Sequence, residues 1–312
     1  MGRIAFLFAG QGAQYPGMGK DLYENIDSVK ELYDMAEEIR PGTVNQCFES
    51  DEETLRMTEN TQPCLFLTDY ACALALNEKG IYADEAAGFS LGEMAALAYS
   101  EMIEVADAFE LVNKRAKAMK SCNDMYPGTM IAVLRADNDK LDNLCTECRV
   151  YPVNYNCPGQ VAVAGKVSRI ENLKNMLSDE GIRYVQLAVS GSFHTPYMED
   201  ASQCLYDATE DMEFGDPSIP VYSDYSSGIY GTGKEEIRDL ICKQVSNSVK
   251  WEKIIRKMFE NGVDTFIECG PGSTLTGFVK KTLKGESYTA YSVSDMESLD
   301  KVAGALLVGR CA

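Results

Sequence analysis

Ala83-Asp-Glu-Ala-Ala-Gly-Phe-Ser-Leu-Gly-Glu-Met-Ala-Ala-Leu-Ala-Tyr99 is the stretch that decides the fold class. Its first part, Ala83–Phe89, reads as a short strand, although Asp84-Glu85 weakens the apolar run, and Leu91–Tyr99 reads as a helix. Between them lies Gly88-Phe-Ser-Leu-Gly92, a G-x-S-x-G. Its glycines permit a strained strand-to-helix turn that holds the Ser90 hydroxyl outward. In that turn the Leu91 amide points toward an approaching carbonyl, and the helix N-terminus adds partial positive charge where an oxyanion would form. A serine on such a bend belongs at the end of a parallel-sheet strand.

The flanking sequence extends the same picture. Arg3–Phe8 reads as a buried strand running into the glycine-rich loop Gly10–Gly19. Helical patterns follow over Asp21–Arg40 and Gln62–Lys79, and again over Val105–Ser121, before the turn Tyr126-Pro-Gly-Thr129. The pattern then changes. Met130–Leu134 reads as a strand, Lys140–Cys148 as a helix, Val150–Asn156 and Val161–Ala164 as strands. Ser168–Glu180 is helical and Tyr184–Val189 strand-like. This βαββαβ order is a ferredoxin-like unit. Helices resume over Pro196–Glu210, Lys234–Gln244 and Lys250–Asn261, and a final strand, Thr265–Glu268, leads into Cys-Gly-Pro-Gly272. The expected architecture is an α/β parallel-sheet core formed by residues 1–124 and 190–312, interrupted by a small α+β subdomain at 125–189.

Composition narrows the function class. The chain has 312 residues, 45% hydrophobic and 25% charged, which fits an ordinary globular protein. The N-terminus is apolar for only a few residues before glycines begin, too short for a signal-peptide core, and no run approaches a membrane span. A cytoplasmic protein is expected. The net charge of −19 argues against nucleic acid, which needs a basic face. An anionic partner would need a local basic patch, for which Lys114, Arg115, Lys117 and Lys120, or Lys280, Lys281 and Lys284, are the candidates. The eleven cysteines lack framework spacing and read as reduced, buried residues. Cys145-x-x-Cys148 has no second ligand pair, so no metal is expected.

A serine nucleophile needs a base, and His194, in Ser190-Gly-Ser-Phe-His-Thr-Pro196, is the single histidine. On the helix Val105–Ser121, Ala108, Leu111, Val112, Ala116 and Met119 form one apolar face, and Arg115 falls on it. A buried guanidinium requires a partner, and its fork matches a carboxylate. That partner is either one of the chain's own acids or the free carboxylate of a dicarboxylic acyl group. Gly10-Gln-Gly-Ala-Gln14 fits neither phosphate-binding pattern. Its use is to bring the Gln11 amide near Ser90 as a second oxyanion donor.

Together these segments resemble the malonyl-CoA:acyl carrier protein transacylase family, which includes acyltransferase domains of polyketide and fatty acid synthases. The resemblance runs through Phe8-Ala-Gly-Gln-Gly-Ala-Gln14, Thr61-Gln-Pro63, Gly88-Phe-Ser-Leu-Gly-Glu93 and Lys114-Arg-Ala-Lys-Ala-Met119. It continues through Asn154-Tyr-Asn-Cys-Pro-Gly-Gln160, Phe193-His-Thr-Pro196, Gln244-Val-Ser-Asn-Ser-Val-Lys-Trp251 and Glu268-Cys-Gly-Pro-Gly272. It implies a hydrolase-like core and a Ser90 nucleophile with His194 as base. It further implies that Arg115 clamps the malonyl carboxylate, that the Gln11 and Leu91 amides form the oxyanion hole, and that the Gln244 backbone carbonyl orients the histidine. Phe89, Phe193 and Gln62 would line the acyl pocket, and the Phe193-His194 pair is similar to malonyl-selecting members. The implied partners are malonyl-CoA as thioester substrate and acyl carrier protein, with no further cofactor, and the expected state is a monomer. Two positions depart from the family pattern. Phe89 stands where a histidine is usual, removing a polar group beside the nucleophile. Ser248 replaces the usual proline, which is expected to loosen a loop carrying Gln244.

Three other readings share parts of this pattern: an acyltransferase supplying a polyketide assembly line, a serine thioesterase or hydrolase, and an inactive carrier-binding protein. Arg115 on an apolar face and the lack of an evident triad acid count against the hydrolase. The intact Ser90, His194 and Arg115 set counts against the inactive protein.

Overall fold

The computed structural model describes residues 2–308. The chain opens with β1 (Arg3–Phe8), followed by helices α1 (Lys20–Asn25), α2 (Asp27–Ile39), α3 (Thr43–Glu49), α4 (Glu52–Arg56) and α5 (Thr58–Glu78). Next come β2 (Glu85–Gly88), α6 (Gly92–Tyr99) and α7 (Val105–Met125). The middle of the chain forms β3 (Gly128–Leu134), α8 (Asn138–Cys148), β4 (Tyr151–Cys157), β5 (Gln160–Lys166), α9 (Val167–Asp179) and β6 (Arg183–Ser190). A 3-10 turn, Pro196–Met198, precedes α10 (Glu199–Ala208) and β7 (Val221–Tyr222). The chain ends with α11 (Lys234–Ser246), α12 (Trp251–Glu260), β8 (Val263–Cys269), α13 (Thr274–Thr282), β9 (Thr289–Val293) and α14 (Met296–Val308).

Five strands form a parallel sheet in the order β7-β2-β1-β8-β9. Because side chains alternate across a strand, Ile4, Phe6 and Phe8 of β1 enter one apolar core while Ala5 and Leu7 enter another on the opposite face. The first core holds the apolar faces of α2, α5 and α7, and the second holds those of α12 and α13. Burial on both faces is what makes β1 an unbroken apolar run.

Residues 128–190 form a second, antiparallel sheet in the order β4-β5-β3-β6, the strand order of a ferredoxin-like unit. Ile131, Val133, Val161 and Val163 face α8 and α9, whereas Met130, Ala162 and Ala164 turn to the main core and Ala132 lines a cleft beside it. The second set forms the roof over the end of the parallel sheet.

Several sequence expectations need correction. The pattern Asp21–Arg40 is two helices, broken at Ile26, whose backbone is extended. Thr265–Glu268 lies within β8 but is not the last strand: β9 pairs beside it at the edge. Edge strands carry a weak apolar signal because only part of each is covered, and β9 is half-buried along most of its length. Arg115 is buried and belongs to no surface patch, while Lys114 and Lys117 on the same helix are exposed.

Candidate active site

The elbow forms because three backbones approach closely. A Cβ on Gly88 would lie 1.8 Å from the Gly92 carbonyl carbon, and one on Gly92 would lie 2.2 Å from the Phe8 carbonyl oxygen. Glycine at both positions lets β1, β2 and α6 meet. Ser90, between them, has φ 56°, a left-handed conformation costing about 1–3 kcal/mol for a non-glycine residue. Contacts from distant parts of the chain hold it there. Its amide donates to Asp224 Oδ2 at 2.6 Å, and its carbonyl accepts from the side-chain amide of Gln244.

Ser90 Oγ lies 2.7 Å from His194 Nε2, and His194 Nδ1 lies 2.9 Å from the Gln244 carbonyl. A carbonyl can only accept, so Nδ1 carries the proton and Nε2 is free to accept from the serine hydroxyl. His194 is 5% exposed and itself has φ 60°. Burial first, and the neighbouring Arg115 charge second, push its pKa down to about 4, so the imidazole is neutral near pH 7.

Arg115 is 1% exposed. Its guanidinium donates to Gln62 Oε1 at 2.6 Å, to Gln244 Oε1 at 3.1 Å and to Ser90 Oγ at 3.2 Å. Among the described residues it makes no ion pair, and its Nε has no partner. Its pKa falls to about 10, lowered by burial and partly restored by Glu93 and Asp224. Of the two partners left open by the sequence, a structural ion pair is therefore absent among the described residues. The cation is held only by neutral oxygens, one of them the Ser90 hydroxyl.

Gln11, Gln62, Phe89, Ser90, Leu91, Arg115, Phe193 and His194 line one cleft of about 500 Å³, completed by Met119, Asn154 and, from the roof, Met130, Leu187 and Val189. A neighbouring cleft of about 780 Å³ shares Gln11, Phe89, Asn154 and Leu187. Phe89 stands where the two meet. Its ring packs edge-on against Trp251 at 5.4 Å and tilted against Phe278 at 6.2 Å. Gln244 does not line the cleft surface. It sits behind it in the last turn of α11 rather than in a loop, so Ser248 does not loosen it. The following Val249 is itself fixed by hydrogen bonds with Val153 and Tyr155 of β4.

Sequence reasoning missed the polar layer beneath the elbow. Glu93, in the first turn of α6, accepts from the Asp224 amide at 2.7 Å and from the Tyr230 hydroxyl. The Asp224 carboxyl also faces Gln244 Nε2 at 3.4 Å. Glu93 belongs to the motif Gly88–Glu93, and its acidic side chain on an otherwise apolar helix was the available signal. Asp224 and Tyr230 carried none. The CxxC cysteines, Cys145 and Cys148, are buried on α8, and no group of metal-binding side chains occurs among the described residues.

Residues 5–307 match the acyl transferase domain family. A malonyl CoA-acyl carrier protein transacylase from Bacillus subtilis is 36% identical over 307 residues, 96% of each chain. The crystal structure of the enzyme of that name from Clostridium perfringens superposes with a TM-score of 0.94 at 35% identity, covering 99% of this chain and 98% of that one. A malonyl-transacylase solved in complex with a type II PKS acyl-carrier protein gives a TM-score of 0.92 at 32% identity, covering 97% of this chain and 99% of that one.

Proposed function

Because the chain belongs to the acyl transferase domain family and, within it, to the malonyl CoA-acyl carrier protein transacylases, we infer that it moves a malonyl group from coenzyme A to the thiol of an acyl carrier protein, in fatty acid synthesis. The observation that carries the mechanism is the meeting of Ser90 Oγ, His194 Nε2 and the Arg115 guanidinium within hydrogen-bond distance in one cleft. In this mechanism Ser90 is the nucleophile and His194 its base. As Oγ attacks the thioester carbonyl, its proton passes to Nε2, which is positioned to take it by the Nδ1–Gln244 hydrogen bond. The Leu91 and Gln11 amides hold the oxyanion. When the tetrahedral intermediate collapses, the C–S bond breaks and His194 returns the proton to the coenzyme A sulfur. The carrier thiol then repeats the sequence in reverse order of partners, its proton going to His194 and from there to Ser90.

Arg115 receives the malonyl carboxylate. Its present partners, Gln62 and Gln244, aim the fork without neutralising it, which leaves its charge for an anionic acyl group. Phe89, Phe193 and Gln62 form the walls around that group. Nucleophile, base and clamp all come from one chain, so a monomer suffices, and no step calls for a metal or a further cofactor.

Incubation with malonyl-, methylmalonyl- and acetyl-CoA, followed by mass mapping, tests this reading. A malonyl adduct on Ser90 that holo-carrier removes is expected. An unmodified Ser90, or release of free malonate in preference to transfer, would refute it. The relative bound to a type II PKS carrier favours one second reading, in which the acceptor serves polyketide synthesis. Rates measured with both kinds of carrier decide between them.

A further inference from the structure

Ser90 sits in a strained conformation that neither β2 nor α6 provides by itself. Its amide points away from the helix into the protein, where the acceptor is Asp224 Oδ2 at 2.6 Å. The same oxygen faces the Gln244 side-chain amide at 3.4 Å, and that amide also donates to the Ser90 carbonyl. Gln244 then meets Arg115 through Oε1 at 3.1 Å and His194 through its backbone carbonyl at 2.9 Å. Asp224 is itself held by Glu93, which accepts its amide and the Tyr230 hydroxyl. A single side chain, fully buried, thus touches the backbone of the nucleophile and the residue that contacts both the base and the cation.

We propose that Asp224 is a positioning residue, whose buried carboxyl fixes the Ser90 elbow and the Gln244 side chain in register so that hydroxyl, imidazole and guanidinium converge. The inference rests on Ser90 being the nucleophile. Asp224 does not touch the acyl group and acts through Ser90 and Gln244. What the site asks of it is an acceptor rather than a charge. Burial and the facing Glu93 carboxylate hold Asp224 well above the usual carboxylate range, and two carboxyls packed together share a proton. The other ionisable groups acting on the pair are Tyr230, which donates to Glu93, and Arg115.

An amide can replace a protonated carboxyl as acceptor. Asp224→Asn should therefore keep kcat within about threefold of wild type, while Asp224→Ala should lower kcat roughly 10- to 100-fold, the loss expected when reacting groups move by an ångström. KM for malonyl-CoA should stay nearly constant in both, because neither variant alters the cleft lining. Stopped-flow acylation, with Ser90 modification read by mass, separates the possibilities. Wild-type kcat in Asp224→Ala overturns the inference whatever its melting temperature, and so does an Asp224→Asn variant as slow as the alanine one. A rise in KM with kcat unchanged also overturns it, because that would place Asp224 in binding. If wild-type Ser90 takes up no malonyl group, the transfer reading fails first and this inference with it.

Discussion

In the proposed mechanism Ser90, His194 and Arg115 act together, and the Arg115 charge tunes the His194 imidazole. His194 is depressed to about 4 by burial and then by Arg115. Its base form is therefore present from mildly acidic pH upward, and the acid limb of kcat/KM, which reports the free enzyme, should fall near pH 4 instead of near 6.5. Arg115→Ala removes the second cause, so in that variant the limb should move to higher pH, and a profile that does not move would show that the two groups are uncoupled. The same substitution should separate acyl groups. A hydrogen bond to a charged group is worth about 1.5–3 kcal/mol, so loss of a two-pronged clamp should cost malonyl transfer at least roughly 100-fold. Acetyl transfer, which offers no carboxylate, should change little. Equal losses with both acyl groups would refute the clamp. At this scale the sequence was informative: uniqueness identified His194, and helical periodicity put Arg115 on an apolar face. Asp224 was illegible, because its role depends on a contact with Ser90 across 134 positions.

The elements that matter most are β2 and α6, joined by the elbow. Their contact tolerates no side chain at Gly88 or Gly92, since a Cβ at either would enter backbone atoms. Backbone cannot yield as a flexible side chain does, so Gly92→Ala should destabilise the protein by about 1–3 kcal/mol and displace Ser90 as well. Thermal unfolding and Ser90 acylation should fall together, and full activity in that variant would contradict the packing. The strand–turn–helix pattern and most other elements were readable, since each follows from local periodicity of 2 or 3.6. Boundaries moved by a few residues. What the sequence reading missed were α3 and α4, short helices with little room for a repeating pattern, α13 and α14, which follow the strand expected to be the last, and the edge strands β7 and β9. Neither is buried on two full faces for long enough to show an apolar run.

For the whole molecule, the decisive arrangement is the small antiparallel sheet set over the end of the parallel one, with the cleft between. Its roof residues, Met130, Leu187 and Val189, line that cleft, while Glu93 and Asp224 are fully buried beneath the elbow, and that burial has a global consequence. Burial raises Glu93 from 4.5 to about 7. A carboxyl raised on folding favours the folded state fully below about pH 4.5, and that contribution is lost as pH rises through about 7. Glu93→Gln removes the titration, so the lead in melting temperature of wild type over variant should shrink as pH is raised across that window. A constant difference would mean that Glu93 does not titrate there. Among the described residues no helix is long and apolar enough to cross a membrane. By itself the sequence determined most of the elements, their order and the residues Ser90, His194 and Arg115, because strand and helix periods, turn glycines and a solitary histidine are local facts. Only the tertiary structure decided that Arg115 meets neutral oxygens instead of an acid, that Gln244 serves by both its carbonyl and its side chain, and that Asp224 lies under the nucleophile. Those contacts join residues between 25 and 154 positions apart, and they exist only once the chain has folded.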